Sequence, residues 1–243
     1  LCSHAHIDHI GNNTYLKGKY NSIIAMSSYE ALVCSSTVNL KVYYSSQTLS
    51  EVTKHFGHMA CETDIMISDD TSKIYVCGIK FKIIHTPGHS PAHICIVTPD
   101  DVAYLGDALI SYEVMKGAKM PYAFILREDL KSKVKLYDLK CANYVVAHKG
   151  IYKDNEITKL IDDNIEFYKK RAYKIYEIIN GKMTMEEILK EVIKEFNIPV
   201  KTQYKYSTLE RMLRSYVEYL NETGRIAVSM EDGFLKYSKC DEI

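Results

Sequence analysis

Four potential metal ligands fall within six residues of the segment Ser3-His4-Ala5-His6-Ile7-Asp8-His9-Ile10-Gly11. His4 and His6 lie two apart, so on an extended or loop backbone they point the same way. Asp8 and His9 follow at once and turn toward a second point if a helix begins there. Imidazole and carboxylate suit Zn²⁺, Fe²⁺ or Mn²⁺, and no soft thiolate set accompanies them. A surface cluster accounts for a single histidine, but no packing need calls for three imidazoles and a carboxylate at this spacing.

The elements that must position these groups can be read from hydrophobic periodicity. Short β-type runs occur at Ser22–Met26, Lys73–Val76, Ile79–Ile84, Ile94–Val97, Val102–Leu105 and Tyr144–Ala147, with helical patterns such as Ser28–Cys34 and Glu128–Tyr137 between them. Strands mixed with helices imply an α+β layered domain, here residues 1–157. All nine histidines lie in this part.

Residues 158–243 differ in character. Ile165–Asn180 has helical spacing. Thr184-Met-Glu-Glu187 and Ser207-Thr-Leu-Glu210 read as capping boxes that open helices to about Phe196 and Asn221. Gly224 stops the chain. The runs Ile226–Ser229 and Phe234–Tyr237, joined by Glu231-Asp232-Gly233, read as a hairpin. Three helices then a hairpin is the order of a winged helix, so this part is expected to be a small winged-helix-like domain. Residues 161–243 carry 14 Lys/Arg against 15 Asp/Glu, and Arg211 and Arg214 face Glu210 and Glu218. That mixed face lacks the basic footprint of a nucleic-acid reader, so a structural, dimerising or substrate-covering role is favoured.

The 243 residues hold 31 basic and 31 acidic side chains, with 47% hydrophobic and 26% charged. This is globular composition without a bulk charge for polyanions or membranes. No apolar run approaches the ~20 residues that span a bilayer. Seven scattered cysteines with no Cys-x-x-Cys point to free thiols in a reducing cytoplasm.

The motif His4-x-His6-x-Asp8-His9 resembles the first motif of the metallo-β-lactamase superfamily, and the later motifs follow in order. Lys80–Ile84 leads into His85-Thr86-Pro87-Gly88-His89, Val102–Leu105 into Gly106-Asp107, and Tyr144–Ala147 into His148. The resemblance covers roughly residues 3–150 and implies an αββα sandwich. It implies that His4, His6 and His89 hold one divalent ion, that Asp8, His9 and His148 hold a second, and that Asp107 bridges them. The ions would be zinc, with iron or manganese as alternatives. Two ions, two carboxylates and a hydroxide leave a formal charge of about +1, which polarises an acceptor oxygen and lowers the pKa of water from ~15.7 toward ~7. Asp8 would also orient the attacking water as the catalytic residue.

His85 and His93 flank the Pro-Gly-His turn and are expected to support ligands from behind or to be structural. His55 and His58 are read as surface-loop residues. Lys149 is expected to face solvent, or to attract an anionic substrate beside the second ion. Tyr112–Ile125, with Met115, Met120, Tyr122 and Phe124, is the expected specificity segment. Gly11-Asn12 stands where the family often has Gly-Gly, and Lys149 where it often has Gly. In the family several strands precede the first motif, whereas this chain opens on Leu1-Cys2. The domain is therefore expected to be incomplete at its N-terminus, with an uncovered β-edge.

The leading expectation is a binuclear metal-dependent hydrolase acting on an ester, thioester or other small-molecule substrate. An endoribonuclease or phosphodiesterase of the lactamase-like type is the first alternative, with nucleic acid a less favoured partner. A persulfide dioxygenase with one iron is the second, disfavoured by the intact set Asp8, His9 and His148. Oligomerisation is left open.

Overall fold

The computed structural model describes residues 1–45 and 47–240. In chain order its elements are α1 Ile7–Ile10, α2 Asn13–Tyr20, β1 Ala25–Ser27, α3 Ser28–Val33, α4 Thr37–Tyr43, α5 Leu49–Phe56, β2 Ile65–Ile67, β3 Lys73–Val76, β4 Ile79–His85, β5 Ile94–Val97, β6 Val102–Gly106, α6 Tyr112–Gly117, α7 Leu126–Lys135, β7 Asn143–Val146, β8 Gly150–Lys153, α8 Asp154–Ile178, α9 Met185–Glu195, α10 Gln203–Glu222, β9 Ile226–Glu231 and β10 Phe234–Lys239.

The main sheet has the order β3-β4-β5-β6-β7-β8 and is antiparallel except at the parallel β6–β7 pair. A second, two-stranded sheet pairs β1 with β2 in parallel. Strand β5 shows why four layers form. Its residues Ile94, Cys95, Ile96 and Val97 are all buried, because both faces of the strand are covered. Alternation sends Ile94 and Ile96 toward Ile67 of β2, whereas Cys95 and Val97 meet Leu160 and Ile161 of α8. On the far side of the small sheet, Met26 packs with Leu40, Val52 and Phe56 from α4 and α5. Helices, two sheets and helices thus stack as an αββα sandwich, as expected.

Helix α8 departs from expectation. The sequence pattern predicts a start near Ile165 and a domain division at 157/158, yet the helix begins at Asp154 and runs across that division. The Lys153 N–H donates to Glu156 Oε2 at 2.8 Å, and no Gly or Pro interrupts the helix from there to Ile178. One helix serves two cores. Ile157, Leu160 and Ile161 pack under the main sheet, while Tyr168, Ala172 and Ile175 pack with α9 and α10. That second core also takes in Met120, Ala123, Leu126 and Leu130 from the first part of the chain.

The start of α10 also differs. The spacing predicts Ser207 as its cap, but the cap is Thr202, whose side chain accepts the Lys205 N–H at 3.1 Å. Ser207 is buried within the helix. A second hydroxyl residue with favourable spacing lies upstream, and the earlier one captures the free N–H groups. Thr184 caps α9 as expected, with the reciprocal Glu187 contact. Strands β9 and β10 pair in antiparallel fashion around Asp232-Gly233, both at positive φ (49° and 77°), the backbone of a tight two-residue hairpin turn. All seven cysteines are free.

Candidate metal centre

The first motif folds as its spacing implies. His6 is extended (φ −88°, ψ 153°) and forms the N-cap of α1, so the chain switches from strand-like to helical between His6 and Ile7. His4 and His6 therefore share one side, and Asp8 and His9 turn away on the first turn of α1. His89 comes from the Pro-Gly-His turn after β4, Asp107 from the end of β6, and His148 from the turn between β7 and β8.

Two groups result: His4, His6, His89 and Asp107, and Asp8, His9 and His148. Within each, the potential ligand atoms all lie within 4.8 Å of one another. His6 Nδ1 is 2.9 Å from His4 Nε2 and 3.1 Å from His89 Nε2. Nitrogens bound ~2.1 Å from a tetrahedral ion lie roughly 3.4 Å apart by the same geometry, close to this spacing. Asp107 stands between the groups. Its Oδ2 is 3.3 Å from His89 Nε2 and 3.4 Å from His9 Nε2, and its Oδ1 is 3.6 Å from His148 Nε2. Asp8 Oδ2 lies 3.1 Å from His148 Nε2.

The donor chemistry fits a pair of divalent ions. Asp107 Oδ1 and His9 Nε2 are buried without a hydrogen-bond partner, an expensive arrangement unless another group binds them. Burial holds the imidazole of His6 down at about 3 despite the opposing Asp107 charge, and it likewise depresses His4 and His89. These rings stay neutral, with a lone pair free to ligate. Burial alone would raise the Asp107 carboxyl, but the His9 contact and the neighbouring imidazoles outweigh it and keep the group ionised. The two groups differ in access. His4 is fully buried, whereas the side chains of Asp8 and His148 are half exposed, so solvent reaches the centre from the Asp8 side.

Outer partners fix these rings. Ser3 Oγ contacts His4 Nδ1 at 3.1 Å, and Tyr43 hydroxyl contacts His6 Nε2 at 3.0 Å. Behind Asp107, His93 Nε2 accepts the Asp107 N–H at 3.1 Å, so its Nδ1–H donates to Thr86 Oγ1 at 2.8 Å. Gly106 makes this contact sterically feasible. At its φ of +52° a Cβ would stand 2.6 Å from His93 Nε2 and 3.0 Å from the Ser3 side chain. His93 thus lies directly behind Asp107. His85 instead takes the structural place of the two alternatives: its Nε2 meets the Thr71 carbonyl at 2.8 Å, because β4 turns that ring toward the β2–β3 connection.

Sequence reasoning missed three contributors. Glu30 on α3 is buried, with Oε2 accepting the Ala5 N–H and Oε1 accepting Ser90 Oγ and the Ala92 N–H. Tyr43 on α4 bonds Tyr122 through their hydroxyls at 3.0 Å, and the Tyr122 ring lies 5.3 Å from both His6 and His89. Arg211 on α10 stacks over Tyr43, Tyr44 and Tyr122 at 5.4, 4.8 and 5.4 Å. No local motif flags such residues. The nearest signal is the expected specificity segment, of which Tyr122 and Phe124 do border the centre, Phe124 stacking on Tyr43 at 5.4 Å. Met120 is instead core.

His148 has φ +57° and Lys149 φ +75°, a left-handed pair without glycine that the sequence does not announce. Lys149 is exposed and pairs with Glu113 at 2.7 Å. His55 and His58 are exposed, on α5 and the short turn after it rather than on an irregular loop.

Residues 69–148 match the model of the metallo-beta-lactamase superfamily, a stretch that includes His89, Asp107 and His148. Over 113 residues (45% of the chain) the sequence is 28% identical to hydroxyacylglutathione hydrolase GloC of Haemophilus influenzae. Over 114 residues (47%) it is 25% identical to glyoxylase B2 of Dictyostelium discoideum. These matches span 48% and 36% of the two relatives, less than half of either. In fold, 98% of the chain superposes on 78% of a metallo-beta-lactamase family protein from Thermus thermophilus, with a TM-score of 0.69 at 17% identity.

Proposed function

From the premise that this chain carries a metallo-beta-lactamase superfamily domain, we propose that it is a hydrolase that uses two divalent metal ions to cleave an acyl ester or thioester of a small molecule. The observation that carries this reading is the convergence of the two ligand groups on Asp107. His4, His6 and His89 would hold one ion, Asp8, His9 and His148 the other, with Asp107 shared. Zinc suits the tetrahedral imidazole set, and iron or manganese also accepts these donors. Bound there, the ions supply Lewis acidity toward a carbonyl oxygen and a water acidified toward pKa ~7.

The chain's own residues do the rest. Asp8, half exposed at the open side, orients the attacking water and takes up its proton. Tyr43 accepts the His6 Nε2–H and so fixes which nitrogen faces the centre. Tyr122 and Phe124 wall the approach with apolar surface that excludes bulk water.

One similar protein is named a glyoxylase and another a hydroxyacylglutathione hydrolase, whose named substrate is an acyl thioester. This supports ester-type substrates over phosphodiesters, as does the mixed charge of α10. The intact Asp8, His9 and His148 group supports two ions over the single iron of a dioxygenase.

The test is a panel of thioesters, esters, lactones, phosphodiesters and single-stranded RNA given to metal-loaded protein. Turnover of a thioester or ester is expected, lost in Asp8→Ala and His4→Ala. RNA cleavage abolished by Asp8→Ala, with all acyl substrates inert, would replace this reading.

A further inference from the structure

Beside the metal centre lies a second feature that hydrolysis alone does not require. A cavity of about 760 Å³ opens between α3, α4, the stretch Phe124–Ile125 and α10. This is within the range of small-molecule sites, roughly 300–1,000 Å³. Leu32, Val42, Phe124 and Ile125 form apolar walls, and Leu32 and Val42 are largely solvent-exposed at its mouth. Tyr43 belongs to both places. Its ring lines the cavity and its hydroxyl bonds His6.

The cavity contains a charge without a partner. Arg211 lines it with its guanidinium over three tyrosine rings, makes no ion pair or hydrogen bond among the described residues, and has its Nε fully buried. Aromatic faces offset part of the cost of desolvating a guanidinium, but they do not satisfy its N–H donors. Arg214, which also lines the cavity, is by contrast paired with Glu210 at 2.8 Å. The remaining charged lining residue is Glu218. Glu210 thus offsets Arg214, and Arg211 is the lining cation that no carboxylate pairs among the described residues. One positive charge in an apolar cavity suits a monoanion with a hydrocarbon body better than a phosphate dianion, and the planar guanidinium fork matches a carboxylate.

We infer that this cavity binds the apolar, carboxylate-bearing part of the substrate, with the carboxylate on Arg211 and the hydrocarbon against Leu32, Val42 and Phe124. This rests on the hydrolase reading for the word substrate, and it names the substrate class: an acyl ester or thioester with a hydrophobic body and one carboxylate besides the scissile carbonyl. It also gives the C-terminal part a task, since Arg211 is the only cation of α10 that faces the cavity unpaired among the described residues.

The test uses sodium octanoate as probe, with 1-octanol and inorganic phosphate as controls, titrated calorimetrically into the full metal-loaded chain. Saturable octanoate binding is expected, weakened at least tenfold in Arg211→Gln and abolished in Val42→Trp, which fills the mouth from an exposed position. Octanol and phosphate are expected to bind at least tenfold more weakly than octanoate. Octanoate binding unchanged in both variants would place the carboxylate on the metal ions and overturn the inference. Equal binding of octanol, or stronger binding of phosphate, would do the same. Should Arg211→Gln fail to fold by circular dichroism, Val42→Trp decides. Binding is read without turnover, so a protein that holds octanoate yet cleaves no ester keeps this inference and loses the hydrolase reading.

Discussion

Glu30 and Ala5 are joined by a hydrogen bond of 2.9 Å from the Ala5 N–H to the Glu30 carboxylate, which places a buried anion directly behind the peptide linking His4 to His6. The other oxygen of the same carboxylate holds Ser90 and Ala92, immediately after His89. One side chain on α3 therefore ties together the two loops that carry His4, His6 and His89, three candidate ligands of the deeper group. Burial raises its carboxyl pKa, and the three donors oppose that rise.

Glu30→Gln tests this arrangement. Glutamine has one acceptor oxygen, so an amide NH₂ would face either the Ala5 N–H or the Ser90–Ala92 pair. A buried donor left unsatisfied costs about 1–3 kcal/mol. A fall in stability of that size is expected in urea denaturation. Metal affinity is expected to fall roughly 10–100-fold in a chelator competition, as for other groups that orient ligands.

The buried histidines set an acid limit for the metal-free protein. His6 and His93 sit at about 3, mainly through burial, and His4 and His89 are also depressed. The unfolded chain titrates them near 6.5, so below that pH it binds more protons than the native state. Their contribution to stability is fully present above 6.5 and is lost as pH falls toward 3, by about 1.4 kcal/mol per pH unit per histidine. Thermal denaturation of metal-free protein between pH 7 and 4.5 is expected to show this loss. His93→Gln should make the slope shallower, and an unchanged slope would mean that His93 is not buried neutral.

Gly88 precedes the candidate ligand His89 with φ +128°, a conformation that glycine alone adopts readily, and a Cβ there would collide with the backbone nitrogen of Asp129. Backbone cannot yield as a flexible side chain can. Gly88→Ala is expected to cost at least about 2 kcal/mol, combining strain with overpacking, in equilibrium unfolding. Metal binding by the His4, His6 and His89 group should weaken with it.

The corrected start of α10 is testable with two alanines. Thr202→Ala removes the cap and is expected to cost about 1 kcal/mol. Ser207→Ala, inside the helix, should cost much less. The reverse order in thermal melts would restore Ser207 as the cap.

These cases show what is legible in a sequence. The seven candidate ligands are readable because each depends on short-range information: four within one motif, and three placed where an apolar strand ends. The layering is readable from runs such as Ile94–Val97, whose unbroken burial has a direct pattern. Glu30, Tyr43 and Arg211 are not readable. Each is an ordinary helical residue whose role arises from contacts at least 25 positions away, as with Glu30 and Ala5. The start of α8 is misjudged because its first turns serve a different core from its later ones, so its apolar stripe changes partner midway.

The central claim is a pair of ions sharing Asp107, and elemental analysis after reconstitution and desalting tests it most directly. Two metal ions per chain are expected for the wild type, and one for His148→Ala, which removes an exposed ligand of the second group alone. Asp107→Asn is expected to lower occupancy of both sites. A wild type that retains one ion or none, or a His148→Ala protein that still retains two, would contradict the binuclear centre.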